Sequence, residues 1–145
     1  MTTQQAYEMM RTYMTRPGAQ MAGDESGNCF YETQFPDGVQ RCAVGCVLTP
    51  DTLLRTGKEQ WCDIPIKDYS GSVRGLMDYY DVPELQFVSL DFLSDAQNVH
   101  DKSENWAKGK FDVAKLDAVA KKHGLTVVSG EQKVAEGAPR ELVPA

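Results

Sequence analysis

The stretch Cys29-Phe30-Tyr31-Glu32-Thr33-Gln34-Phe35-Pro36-Asp37-Gly38-Val39-Gln40-Arg41-Cys42 decides the fold. Its first half carries aromatic and β-branched side chains, which suit a pleated surface. Phe35-Pro36-Asp37-Gly38 then supplies turn chemistry, because Pro fixes φ and Gly accepts φ > 0. A second extended piece follows from Val39, so the pattern predicts a β-hairpin. With Asp37 and Gly38 as the two turn residues, Thr33 faces Cys42 and Cys29 faces Cys46. In any register the hairpin brings the thiols of Cys29, Cys42 and Cys46 near one another. The next run, Ala43-Val44-Gly45-Cys46-Val47-Leu48, is apolar and partly small, and is expected to pack closely against another element.

Helical patterns surround this hairpin. Upstream, Ala6, Met10 and Tyr13 fall at helical spacing with Tyr7 and Met14 beside them, predicting a helix over 3–14 that Arg16-Pro17-Gly18 ends. Residues 17–28 turn to Gly, Asp, Ser and Ala and read as a loop. Downstream, Thr49-Pro50-Asp51 starts a short helix, with Thr as N-cap and Pro at the first helical position, expected to stop at Gly57. Residues 58–71, with Trp61, Cys62 and Pro65, have no period and read as an ordered loop; 72–80 read as a short helix weakened by Gly75. Asp81 and Glu84 have capping-box spacing, and Leu85, Val88, Phe92, Ala96 and Val99 make an apolar stripe, predicting a helix over 83–101. The last helix, 111–123, is signed at both ends. Asp112 caps it with Phe111 and Leu116 as a hydrophobic staple, Val113, Leu116 and Ala120 face inward, and Gly124-Leu125 fits a Schellman ending. Thr126-Val127-Val128 reads as one short strand. The expected fold class is therefore α+β: a small hairpin or sheet packed against about four or five helices. It forms a single domain over 1–128, with a loosely ordered tail over 129–145.

A chain of 145 residues is long enough to bury a core without staples, and 41% hydrophobic with 25% charged residues is ordinary for a folded protein. The net charge of −6 argues against nucleic acid as the main ligand, because such binding runs on clustered Lys and Arg, and none cluster here. The charge favours solubility or docking on a basic protein surface. The start, Met1 to Met10, is polar where a signal peptide would be apolar, and no apolar run is long enough to span a bilayer. The expected location is thus the cytoplasm, with no membrane partner, and Cys29, Cys42, Cys46 and Cys62 as reduced thiols.

Those thiols are the first candidates for chemistry. Cys42 and Cys46 sit four apart, and Cys29, Cys62, His100 and His123 are available to complete a tetrahedral zinc site of sulfur and imidazole. Familiar structural sites use two close pairs, whereas this chain has one pair at an unusual spacing. Buried thiols acting as small hydrophobes are the expected outcome, with no cofactor. Cys46 ahead of a helix start, with His100-Asp101 as base and orienter, is a nucleophile candidate. Against it, adjacent helical residues point in different directions, so Asp101 is not expected to orient His100. Asp91, Asp95 and Asn98 share the face opposite the apolar stripe, and a solvated face accounts for them. Asp37 and Asp51 have structural roles as turn and helix-start residues. No Gly-rich phosphate loop is present, and Gly45 alone signals close packing. Trp61 and Trp106 are candidate interface anchors, although large aromatics more often cover a core. No residue is assigned as catalytic.

Three segments together carry a resemblance. Two are Cys29-Phe30-Tyr31, and Gly38 through Arg41-Cys42-Ala43-Val44-Gly45-Cys46 to Thr49-Pro50-Asp51. The third is Phe92-Leu93-Ser94-Asp95-Ala96-Gln97-Asn98-Val99-His100-Asp101, with Trp106 and His123-Gly124-Leu125. The arrangement resembles small hypothetical proteins encoded by actinobacterial phages, prophages and other bacteria, over residues 3–128. Cys62 and the tail after Ser129 lie outside the pattern. The resemblance implies an accessory protein that binds a host protein in the bacterial cytoplasm, without an enzymatic role and without assigned catalytic residues. A thiol- or zinc-binding structural module built on Cys29, Cys42 and Cys46 is the alternative.

Overall fold

In the computed structural model, which describes residues 1–23, 29–60 and 62–128, helix α1 runs over Thr3–Met14 because both ends are chemically marked. Thr2 and Gln5 form a reciprocal capping box, the Gln5 N–H donating to Thr2 Oγ1 at 3.1 Å and the Thr2 N–H to Gln5 Oε1 at 2.8 Å. Ala6, Tyr7, Met10 and Met14 form its buried face, as their spacing predicts. Arg11 is buried as well. It forks onto Asp117 at 2.9 and 3.2 Å, and the Tyr7 hydroxyl donates to the same carboxylate at 2.6 Å. Burial and the bond to Asp117 push the Tyr7 phenol up to about 12.

The hairpin forms between β1 (Glu32–Phe35) and β2 (Gly38–Arg41), antiparallel, with Phe35 opposite Gly38 and Thr33 opposite Gln40. The turn residues are Pro36 and Asp37 instead of Asp37 and Gly38. Pro takes the first turn position, where its fixed φ fits, and Gly38 opens β2 at φ +143°. Every cross-strand pair shifts accordingly, and Thr33 does not face Cys42. Cys29 lies outside the hairpin and bridges to Gly23 instead of facing Cys46. Gln40, buried in β2, fixes the turn that follows α1: its carbonyl accepts from the Arg16 guanidinium and the Gln20 N–H, and its amide donates to the Gly18 carbonyl.

Beyond β2 the chain enters the core. Cys42, Ala43 and Val44 are fully buried, and residues Gly45–Val47 make a 3-10 turn. Gly45 lies so close to Tyr31 that an added Cβ would sit 2.1 Å from the Tyr31 carbonyl oxygen. The small-residue run thus packs closely, as its composition predicts.

Helix α2 (Pro50–Leu53) starts on Thr49 as expected and stops at Leu54, short of Gly57. Helix α3 covers Val73–Tyr79, capped by Ser72. The helix predicted over 83–101 is two elements: a 3-10 turn over Pro83–Leu85, then α4 over Leu90–His100 on a Ser89 N-cap. An i, i+3 spacing puts Leu85, Val88 and Phe92 on one side in either geometry, so the stripe does not reveal the break. Glu84 does not close a capping box with Asp81. Its carboxylate reaches across to α2, accepting from the Thr49 N–H and the Thr52 hydroxyl at 2.9 Å each. Burial pushes this carboxyl up, and the two bonds outweigh it, leaving it below the usual range.

Helix α5 (Val113–Lys122) follows Asp112, whose side chain makes no capping bond; the Phe111 and Leu116 staple residues are both buried. Its Schellman end is present, with the Leu125 N–H on the Ala120 carbonyl at 2.9 Å, the Gly124 N–H on Lys121 at 3.1 Å, and Gly124 at φ +74°. Residues 103–109 form a 3-10 segment with no sequence signal behind it. Residues 126–128 form no strand and lie outside any regular element. Gln4 exchanges two hydrogen bonds with Thr126, and the Val128 N–H donates to the Tyr7 hydroxyl. The fold is α+β, a two-stranded sheet with five α-helices among the described residues; α4 packs on α3 and α5, and α1 on α5 and the 45–47 turn. Among the described residues, no helix is long and apolar enough to cross a membrane. Trp61 and the 129–145 tail lie outside the described residues.

Two outcomes check this architecture. Gly45→Ala forces its Cβ against the Tyr31 backbone and is expected to lower stability by about 1–3 kcal/mol, read by urea unfolding. Glu84, lowered in the folded state, contributes stability that is present above about pH 4.3 and is lost as pH falls through its folded value. The stability difference between wild type and Glu84→Gln is therefore expected to shrink on acidification, measured by thermal melts across that window.

Candidate functional site

The chemistry-bearing residues gather at the C-terminal end of α4. Gln97, His100 and Asp101 share one helical face by their i, i+3 and i+4 spacing. Gln97 is buried and works in two directions: its Oε1 accepts from the Val44 N–H at 3.1 Å, and its Nε2 donates to Asp101 Oδ1 at 2.9 Å. Held by that amide, the Asp101 carboxylate also lies 2.7 Å from His100 Nδ1. The expectation that the adjacent pair would point apart is therefore corrected. Asp101 is the C-cap residue, and the Gln97 amide one turn back draws its carboxylate over the end of the helix.

His100 is completely buried. The Ala22 N–H donates to its Nε2 at 3.3 Å, so Nε2 is the acceptor and the hydrogen-bond network assigns the proton to Nδ1, facing Asp101. The Trp106 indole donates to the His100 carbonyl at 2.8 Å, and its ring meets the imidazole edge-on at 5.5 Å. Trp106, a candidate interface anchor by sequence, is half-buried here and serves to seat His100. The other candidate, Trp61, is among the residues not described.

Cys29 completes the group. Its sulfur, a His100 ring nitrogen and an Asp101 oxygen all lie within 4.8 Å of one another, and Cys29 is partly exposed. Among the described residues this is the one group of three or more such side chains with that spacing. The structure thus brings Cys29 to His100 and leaves Cys42 and Cys46 out. Cys42 is sealed in the core, its sulfur accepting from the Gly45 N–H at 3.2 Å, and burial pushes its thiol up to about 12. Cys46 donates to the Ala43 carbonyl at 3.1 Å, and burial, with the neighbouring Cys42, pushes its thiol higher still. Cys42 behaves as the buried small hydrophobe the sequence reading expects, whereas Cys46 is partly exposed and packs against the edge of the core. Cys62 stands apart against Gly57, and none of the four cysteines is in a disulfide.

The remaining candidates have structural partners. Asp95 faces α5, accepting from His123 Nε2 at 2.8 Å and Lys122 at 3.0 Å, and those bonds hold its carboxyl below the usual range. Asp91 and Asn98 are exposed. Two polar groups that sequence reasoning missed lie in the core: the Tyr31 and Thr33 hydroxyls are buried without a hydrogen-bond partner among the described residues. Burial first, then the charges of Cys42, Tyr69 and Asp101, raise the Tyr31 phenol well above its ordinary value. A cleft of about 780 Å³ opens elsewhere, between the end of α1 and residues 104–114, with Arg16, Glu104, Lys110 and Phe111 in its walls. Neither cysteine nor histidine is among its described lining residues.

No protein-family model, no curated protein and no solved structure matches this chain. The geometry therefore carries the functional argument.

The buried thiol gives a direct check. In the folded protein at pH 8, Cys42 is expected to resist iodoacetamide while all four cysteines alkylate in denaturant, resolved by peptide mass spectrometry. Labelling of Cys42 at the rate of an exposed thiol would contradict its burial.

Proposed function

We propose that this chain is a binding module without a reaction of its own: a phage-encoded accessory protein that docks on a host protein in the bacterial cytoplasm. The resemblance to small phage proteins supports the setting, and the net charge of −6 supports a partner with a basic rim. The observation that carries the reading is Phe87. Its side chain is 77% exposed on the turn between Leu85 and the Ser89 cap, while Val88 beside it is buried and anchors the backbone. A large rigid aromatic held out on an anchored turn supplies contact area at low entropic cost. Asp91, exposed in the first turn of α4, adds a negative charge to its surroundings. The partner surface this fits is an apolar pocket flanked by Lys or Arg.

The test compares immobilised wild-type chain with Phe87→Ser in host lysate, at low and at high salt. Phe87 packs on little, so the variant is expected to keep its stability within about 0.5 kcal/mol. One host protein retained near stoichiometry by wild type, released by salt and lost by Phe87→Ser, is the expected result. No partner at that level, or equal retention by the variant, would refute the proposal.

A further inference from the structure

We propose that Cys29 is a reactive thiol activated by His100 and Asp101, and that it takes small disulfides into a mixed disulfide. Asp101 holds the Nδ1 proton at 2.7 Å, which leaves the lone pair of a neutral ring on Nε2, the form a general base requires. The contact on that lone pair is the Ala22 N–H at 3.3 Å, longer than an ordinary N–H···acceptor bond of about 2.9–3.0 Å. The Cys29 sulfur lies within 4.8 Å of the ring and carboxylate atoms, reaching them from a chain segment some seventy residues away in sequence.

The same arrangement disfavours a metal. For Asp101 and His100 both to serve as ligands in the present placement, an ion would have to replace the Nδ1 proton. The opposite nitrogen would then carry a proton aimed at the Ala22 N–H. Two donors would face each other in a fully buried position, which costs an unmade hydrogen bond. The nucleophile geometry needs no such change of tautomer.

Only Cys42 is held in the interior; Cys29, like Cys46 and Cys62, is partly exposed, and what sets Cys29 apart is the imidazole and the 37% exposed Asp101 side chain beside it. The three residues are not among the described lining residues of the 780 Å³ cleft, and the electrophile proposed is a small disulfide, which needs no groove. In the reaction, the Cys29 thiol gives its proton to the His100–Asp101 pair beside it and its sulfur attacks one sulfur of the disulfide. A new S–S bond forms to Cys29, the original S–S bond breaks, and the departing thiolate takes the proton back from that pair. Cys42 is sealed in the core, and no second thiol belongs to the Cys29–His100–Asp101 group to resolve the product. The mixed disulfide persists as a modification of the folded protein.

The test uses the full chain and the coloured disulfide of thionitrobenzoate, with oxidised glutathione as second probe. The expected result is one equivalent of fast release, mapped to Cys29 by mass spectrometry, at least tenfold faster than Cys62. Asp101→Asn, at a partly exposed position, is expected to slow that phase about 10–100-fold and move its pH midpoint toward the ordinary thiol value of ~8.5. His100→Gln is expected to abolish the fast phase; should it unfold, Asp101→Asn alone decides. Cys29 reacting no faster than Cys62, or Asp101→Asn leaving both rate and pH profile unchanged, would overturn the inference. So would protection of Cys29 by one equivalent of zinc with a thiolate–metal absorption, which would reassign the group to metal binding.

Discussion

The Gln97 side chain is the constraint on which the interior is organised. It is a buried amide, and a buried amide is tolerable only when its carbonyl and its NH₂ both find partners. It finds them in two different parts of the chain: the Val44 backbone just beyond the hairpin, and the Asp101 carboxylate at the end of its own helix. That double engagement fixes how far the 42–48 run advances into the core and where the carboxylate stands. The placement of His100 and its tautomer follow from the carboxylate. Substituting Gln97 by an apolar residue of similar size would leave the Val44 N–H orphaned, so the network stands or falls together.

A second polar knot does for the chain ends what Gln97 does for the middle. Arg11 is buried, and a buried guanidinium must be paired. Asp117 accepts from it through both oxygens and accepts the Tyr7 hydroxyl as well, tying α1 to α5. Apolar burial drives the two helices together, and the fork selects one rotation of each helix about its axis. The 126–128 segment is then laid over α1 by Gln4 and Tyr7.

What was legible in the sequence is local. The 3–14 helix, the Thr49 cap, the hairpin and the Gly124-Leu125 ending depend on residues a few positions apart, and each stands where its pattern puts it. Features that depend on distant partners were misread. Glu84 has a capping spacing toward Asp81, but Thr49 and Thr52 offer it two donors from another helix, and they win. The hairpin register turned on whether Pro36 or Asp37 led the turn, a difference of one backbone position that side-chain pattern does not encode. The candidate site was half legible. His100 and Asp101 were weighed as base and orienter for Cys46, yet the pair was expected to point apart, and the structure brings them together. The thiol beside them proved to be Cys29 instead of Cys46, because the chain before β1 folds over the end of α4. Gln97, a polar side chain next to the apolar stripe, was the available and unused signal.

The Arg11–Asp117 fork also sets an order of events during synthesis. An N-terminal helix leaving the ribosome has its own cap and its own apolar face, yet its guanidinium has no counter-charge until the chain has grown to Asp117. Burying that cation earlier would strand a charge away from water, so α1 is held back from final docking while the hairpin and α4 are made. Closure of this part of the interior therefore depends on two residues 106 positions apart in the chain, a long-range contact that slows folding.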